Sequence, residues 1–181
     1  MEKRRVEASV VWRALERPGY EHCRLFEDGL EGDVVVVADG LPCTFLYRVR
    51  CDPSWRTVSA EVEGWLGTEP WSLSFRPDAF DGCIDADLGF TPSTNTLPIR
   101  RLNLGIGEEA SVSAAWLRFP QLTLERLDQT YRRTGDRTYR YTSATGFTGE
   151  LEVDEHGLVV TYEGGWVRHD SLAGLMHEDG R

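Results

Sequence analysis

The stretch Thr44-Phe45-Leu46-Tyr47-Arg48-Val49 shows the pattern that dominates this chain. Phe45, Tyr47 and Val49 fall on one face of an extended backbone, because successive side chains of a β-strand point to opposite sides. The segment Trp55–Leu66 continues the same period of two. The sequence therefore predicts β-strands in this region.

Turn signals separate the extended segments along the whole chain. The dipeptide Asp-Gly, which is typical of tight hairpins, occurs at 28–29, 39–40 and 81–82, and Asp154–Gly157 is a further turn signal. We count about ten strands at spacings of about 8–15 residues, which predicts a mainly β protein built as an antiparallel sandwich, a barrel or a strongly curled sheet. Little helix is expected, and Glu108–Leu117 fits either a helix or a strand.

The length of 181 residues favours one domain. No linker, repeat or low-complexity tract interrupts the pattern of strands and turns. We place the single domain at residues 1–172 and expect residues 173–181 to form a flexible C-terminal tail.

Charge excludes several partners. The chain carries 20 basic and 30 acidic residues, a formal net charge of −10. An acidic surface is repelled by nucleic acid and by anionic membranes, both of which require clustered Lys and Arg. We therefore expect neither partner.

The remaining composition predicts a cytoplasmic protein without cofactor or metal. The basic residues at positions 3–5 are not followed by the apolar segment of a signal peptide, and the longest aliphatic run, Val34–Ala38, is too short to span a bilayer. The cysteines should stay reduced and serve as buried packing residues, since their spacing does not fit a zinc site. They are Cys23, Cys43, Cys51 and Cys83.

One segment, Asp81–Leu102, concentrates chemistry-bearing residues. Asp85 and Asp87, at i and i+2 on a strand, should point to the same face about 6–7 Å apart. Two like charges this close need a cation, a proton or a ligand hydroxyl to balance them. Thr94 or Thr96 could cap a short helix that carries the arginine pair downstream.

Three interpretations of the two aspartates stay open. They can form a structural ion-pair network with Arg100, Arg101 or Arg140. They can accept hydrogen bonds from the hydroxyls of a sugar ligand. They can also act as an acid/base pair, because such separations suit glycoside hydrolysis.

Other candidate ligand contacts come from polar and aromatic side chains. Asn95 can satisfy the loop backbone or bind a sugar through its amide. Since Arg100 and Arg101 are adjacent, at most one should serve the aspartates, and the other could bind a phosphate or an acidic sugar. Trp71 and Trp116 are candidates for lining a ligand pocket.

The strand containing Arg140 is open to two interpretations. Tyr139 and Tyr141 flank this arginine at alternating positions. The two tyrosines can pack across neighbouring strands while Arg140 points outward, or Arg140 can contribute to ligand binding.

The segment resembles the signature of the bacterial family called "putative glycolipid-binding" proteins. The matching residues are Gly82-Cys83 and Asp85-x-Asp87-Leu88, then Thr91-Pro92-x-Thr94-Asn95-Thr96-Leu97-Pro98-Ile99-Arg100-Arg101-Leu102. Weaker similarities extend over most of the chain.

The resemblance implies a fold and a class of ligand. The family is similar in architecture to bacterial lipoprotein carriers, which implies a strongly curled antiparallel sheet, a β-roll or half-barrel, that clasps an acyl chain. The resemblance assigns no catalytic residues.

We accordingly expect a protein that binds a lipid or glycolipid in an apolar cavity and acts in glycolipid metabolism or transport. The polar cluster of Asp85, Asp87, Asn95 and Arg100 would orient the head group. The alternative is an enzyme acting on a glycosyl or lipid substrate with Asp85 and Asp87 as acid and base. A third hypothesis gives the segment a purely structural role, with another protein as partner.

Overall fold

A computed structural model of the chain describes residues 4–169, which form thirteen strands and one short α-helix. The strands are β1 (Val6–Ala14), β2 (Gly19–Phe26), β3 (Gly29–Ala38), β4 (Leu41–Cys51), β5 (Thr57–Leu66), β6 (Glu69–Phe75), β7 (Asp85–Leu88), β8 (Glu109–Arg118), β9 (Thr123–Arg133), β10 (Thr138–Ser143), β11 (Thr148–Val153), β12 (Val159–Tyr162) and β13 (Trp166–Arg168). The helix α1 covers Thr96–Leu102, and 3-10 turns cover Pro77–Ala79 and Ser93–Asn95.

The prediction of a mainly β protein with little helix is confirmed. The number of strands exceeds the expected ten, because β7 and β13, with only 4 and 3 residues, show no clear alternation, and because the sequence of β8 also fits a helix. The ambiguous segment at 108–117 is strand β8. The proposed tail at 173–181 and the domain boundary at residue 172 lie outside the described residues.

All thirteen strands belong to one sheet in the order β6-β5-β4-β3-β2-β1-β13-β12-β11-β10-β9-β8-β7. Neighbours are antiparallel except β7 and β8, which run parallel. The sheet is not closed into a barrel, but its curl brings edge strand β7 against β5, where the Thr57 amide donates to the Ile84 carbonyl at 3.2 Å. The predicted curled sheet is confirmed.

Two of the three Asp-Gly pairs behave as expected and one does not. Asp39 and Gly40 join β3 to β4 with φ angles of 50° and 78°, as a two-residue hairpin turn requires. The pair at 28–29 closes the β2–β3 hairpin. Asp81-Gly82 forms no hairpin, because it lies in the connection that crosses from edge strand β6 to the opposite edge strand β7.

Residues 89–104 fill the concave side of the sheet. Phe90, Leu97 and Ile99 are buried there, and the Phe90 ring stacks on Phe45 of β4 with 4.5 Å between ring centroids. The Thr96 hydroxyl donates to the Gly157 carbonyl, in the turn between β11 and β12. Since β4 and β11 are far apart in the sheet, the segment spans the inside of the curl.

The expectation that a threonine caps α1 is wrong. The helix follows the 3-10 turn directly, with Asn95 at its N-cap and no side-chain cap hydrogen bond. Thr94 instead accepts a hydrogen bond from the Leu88 amide. Both threonines therefore fasten the inner segment to the sheet.

A buried polar network also holds this segment. Glu21 of β2 is 1% exposed, and its Oε1 accepts hydrogen bonds from Tyr47 (2.5 Å) and Thr91 (2.7 Å). Ser93 contacts both hydroxyls, at 2.8 and 2.9 Å. Burial raises the pKa of Glu21 to about 8, and the two hydrogen bonds oppose the shift. The carboxyl is therefore mostly protonated at neutral pH.

The four cysteines are buried and free, as predicted. Within residues 4–169, no helix has the length and apolar character needed to cross a membrane.

Candidate functional site

Asp85 and Asp87 lie on the same face of β7, as the alternation of a strand requires. Asp85 is 1% exposed, and its two oxygens accept hydrogen bonds from Arg101 Nε at 3.1 Å and Nη2 at 2.5 Å. Burial raises the pKa of Asp85, while the arginine opposes the shift. This two-point contact ties the end of α1 to β7.

Asp87 has a different environment. Its Oδ2 accepts a hydrogen bond of 2.5 Å from the side-chain amide of Gln129 on β9. Among residues 4–169, Asp87 forms no ion pair. Burial, and secondarily the charge of Asp85, raises its pKa to about 6, while the amide of Gln129 opposes the shift. The half-buried carboxylate is therefore mostly ionised at neutral pH without a cationic partner.

Asp87 borders a partly enclosed cavity of about 230 Å³. The cavity lies between the start of the inner segment, strands β8 to β10, the β10–β11 turn and the β12–β13 region. Its aromatic walls are Phe90, Trp116, Phe119, Tyr141, Phe147, Tyr162 and Trp166. The charged side chains along it are Asp87, Glu16 and Arg17.

Three of these rings form a cluster in the lining of the cavity. The centroids of Tyr141, Phe147 and Tyr162 are 5.8 to 6.2 Å apart, and the rings are steeply inclined to one another. They meet over Gly149, where a Cβ atom would lie 3.1 Å from the Phe147 ring and 3.3 Å from the Tyr162 ring. The absence of a side chain at this position lets the rings close over the strand.

Asn95 and Thr91 line the cavity from the inner segment. The Asn95 amide donates to the Pro92 carbonyl at 3.1 Å, and its oxygen accepts from the Tyr131 hydroxyl at 2.9 Å. Asn95 therefore satisfies the loop and also borders the cavity. Of the predicted site residues, Asp87, Asn95 and Trp116 are brought together.

The two arginines of α1 lie elsewhere. Arg101 is bound to Asp85, and Arg100 stacks on Trp55 with 4.0 Å between the guanidinium carbon and the ring centroid. Arg100 also donates to the His156 carbonyl at 3.2 Å and approaches Glu7 at 3.4 Å. Only one arginine serves the aspartates, as the sequence suggests.

Arg140 and Trp71 also lie outside the cavity. Arg140 is exposed on β10 and pairs at 2.8 Å with its cross-strand neighbour Glu150. Trp71 packs edge-on against Phe45 at 6.2 Å and borders an open groove of about 810 Å³ across β3 to β6, together with Trp65. The groove is larger, but it lacks a buried ionisable group, so the cavity at Asp87 is the better candidate site.

Several site residues are not singled out by the sequence. Gln129 is 4% exposed and lies in the inward series of β9 between Leu127 and Tyr131. A polar residue in an otherwise apolar inward series is a usable signal, because buried amides need partners. Phe147 and Tyr162 carry no comparable signal, since only the fold brings their rings together.

Within the described part of the chain, no group of three or more metal-binding side chains occurs.

The single curled sheet with its inner segment defines a mainly β, single-domain protein. The chain belongs to the family described as "Putative glycolipid-binding", whose profile matches residues 9–168. The crystal structure of a DUF1089 family protein from Pseudomonas aeruginosa is 31% identical, with a TM-score of 0.78, over 93% of this chain and 100% of that chain. No curated protein matches the chain.

Proposed function

We propose that this protein binds a glycolipid or a related amphipathic lipid, with the head group in the cavity beside Asp87. The observation that carries the proposal is a half-buried carboxylate at the edge of an aromatic cavity. The name of the family agrees with this class of ligand.

The lining suits a sugar or similar head group. Aromatic faces pack against the apolar faces of a ring, while a few placed polar groups fix its orientation. Among residues 4–169, no hydrogen bond occupies Oδ1 of Asp87, and Thr91 and Asn95 border the same space. Trp116 lies directly beside Asp87, since the two are paired between β7 and β8.

The size of the cavity limits what it holds. Its volume of about 230 Å³ is below the roughly 300 Å³ at which pockets for drug-sized ligands begin. Residues 89–104 occupy the inside of the curl. In bacterial lipoprotein carriers, which the family resembles, an acyl chain would lie there. In this proposal the cavity takes the head group, and the acyl chain runs outward past Phe147, which lines the cavity and is 42% exposed.

The arrangement does not favour an acid/base pair. Such chemistry needs two carboxyls that reach the substrate. Asp85 is buried and bound at both oxygens by Arg101, so it is a structural residue. Of the two aspartates, Asp87 lines the cavity and Asp85 does not.

Native mass spectrometry of the protein purified from bacterial cells tests the proposal. Two variants in the same hairpin region give a matched comparison: Thr145→Trp places an indole at the cavity, whereas Thr148→Trp places it on the exposed outer face. We expect a lipid adduct on the wild-type protein and on Thr148→Trp, and its loss from Thr145→Trp. An adduct retained by both variants, or no adduct together with no binding of added octyl glucoside, would overturn the proposal.

A further inference from the structure

The cavity combines an aromatic enclosure with an uncompensated negative charge. Tyr141, Phe147 and Tyr162 line the cavity and contact one another, and Asp87 lies on its border without an ion-pair partner in the described chain. We infer that the cavity recognises a positively charged ammonium group on its ligand. The inference rests on the proposed function, because it assigns the chemistry of the head group bound at that site.

The contrast between the two aspartates is the first argument. A buried carboxylate is costly unless a charge or several hydrogen bonds balance it. Asp85 is balanced by Arg101, but among residues 4–169 Asp87 receives only the neutral amide of Gln129. A cationic ligand group in the cavity would supply the missing partner.

The aromatic cluster is the second argument. The faces of aromatic rings carry partial negative charge, so several rings that line one cavity attract a cation. Proteins bind quaternary ammonium groups in such aromatic enclosures. The inclination between the three rings ranges from 49° to 75°, so their faces point in different directions. Burial raises the pKa values of Tyr141 and Tyr162, so both hydroxyls stay neutral.

The other charges around the cavity do not cancel this preference. Glu16 adds a second carboxylate at its rim. The positive charge in the lining belongs to Arg17, whose guanidinium carbon lies 5.1 Å from the centroid of Phe119. With Asp87 the three charges sum to −1, and the net charge of −10 on the whole chain also attracts cations.

Matched ligand pairs test the inference on the full protein at pH 7.5. Choline is compared by calorimetric titration with its neutral isostere 3,3-dimethylbutan-1-ol, and a methyl 2-amino-2-deoxyglucoside is compared with methyl glucoside. We expect at least one cation to bind about tenfold more tightly than its neutral partner. The pair that shows the preference distinguishes a quaternary ammonium from an amino-sugar head group.

Variants locate the effect. Asp87→Asn should abolish the preference for the cation, while Asp81→Asn, which changes an exposed aspartate outside the cavity, should retain it. Tyr162→Phe keeps the ring and should retain cation binding, whereas Tyr162→Leu should weaken it severalfold.

Other outcomes overturn the inference. Equal affinity for cation and isostere in both pairs would show that charge is not recognised. A preference that survives Asp87→Asn would place the cation elsewhere. A nuclear magnetic resonance titration with octyl glucoside separates the two proposals. If no cation is preferred but octyl glucoside still shifts the indole N–H signal of Trp116, the ammonium inference fails while the proposed function stands. If octyl glucoside causes no perturbation either, both fail.

Discussion

Asp85 and Asp87 project from the same face of β7, yet within residues 4–169 only Asp85 is bound by an arginine. The guanidinium of Arg101 contacts both oxygens of Asp85, whereas Asp87 accepts a hydrogen bond from Gln129 and borders the cavity. One aspartate therefore fixes α1 to the sheet, and the other is available to a ligand.

The Asp85–Arg101 pair should be important for stability. The side chains are 1% and 13% exposed, so removing one partner leaves the other charge poorly solvated. Arg101→Met should lower the free energy of unfolding by about 3–5 kcal/mol, measured by urea denaturation. Adding Asp85→Asn should recover part of this loss in a double-mutant cycle. A loss below about 1 kcal/mol would indicate a pair no stronger than a surface ion pair.

Glu21 should make the protein less stable as pH rises. Its pKa is about 8 in the folded state against 4.5 ordinarily, so between these values the folded protein holds a proton that the unfolded chain releases. Each rise of one pH unit in this window should lower the free energy of unfolding by about 1.4 kcal/mol. Glu21→Gln keeps an acceptor for Tyr47 and Thr91, so the variant should gain stability over wild type from pH 5 to pH 8. Parallel stability curves for the two proteins would contradict this assignment.

Asp87 should reduce the stability of the ligand-free protein. Its pKa is raised from 3.8 to about 6, so the stability that the protonated form provides is lost as pH rises through this range. Asp87→Asn should therefore raise the free energy of unfolding at pH 7 by about 1–3 kcal/mol while weakening ligand binding. Asp81→Asn serves as the exposed control and should change neither quantity. Destabilisation by Asp87→Asn would mean that the carboxylate is a structural group like Asp85.

Gly149 should be required by the aromatic cluster. A methyl group there would lie 3.1 to 3.3 Å from the rings of Phe147 and Tyr162 and would displace them. Gly149→Ala should cost about 1–3 kcal/mol in urea denaturation and should weaken binding. At Gly165 an added methyl would be 3.6 Å from the Tyr162 ring, an ordinary contact, so Gly165→Ala should leave stability nearly unchanged. Equal effects of the two substitutions would refute a specific role for Gly149.

The strands and the curl could be predicted because their causes are local or belong to a recognisable signature. The alternation in Thr44–Val49 and the turn at Asp39-Gly40 act within a few residues. The hairpin turn predicted at Asp81-Gly82 is wrong, because the same dipeptide also occurs in longer connections between strands. Only the long-range order of the sheet shows that β6 and β7 occupy opposite edges.

Part of the candidate site could be predicted from the sequence. The segment that supplies Asp87 and Asn95 was identified from its density of polar residues. The opposite wall was not, because Phe147 and Tyr162 reach the cavity only after the sheet has curled. Arg101 agrees with the ion-pair interpretation of the aspartates, and Arg140 agrees with the interpretation as an outward arginine of a packed strand. Arg100 and Trp71 contact Trp55 and Phe45 and do not line the cavity.

The most direct test of the central claim uses the tryptophans as position reporters. In a nuclear magnetic resonance titration with octyl glucoside below its micelle-forming concentration, each indole N–H signal reports on one place in the fold. Trp116 and Trp166 line the cavity, whereas Trp65 and Trp71 line the groove on the other half of the sheet. A ligand site at Asp87 predicts saturable shifts for Trp116 and Trp166 with Trp65 and Trp71 unmoved. Shifts confined to Trp65 and Trp71 would contradict the account and place the ligand in the groove.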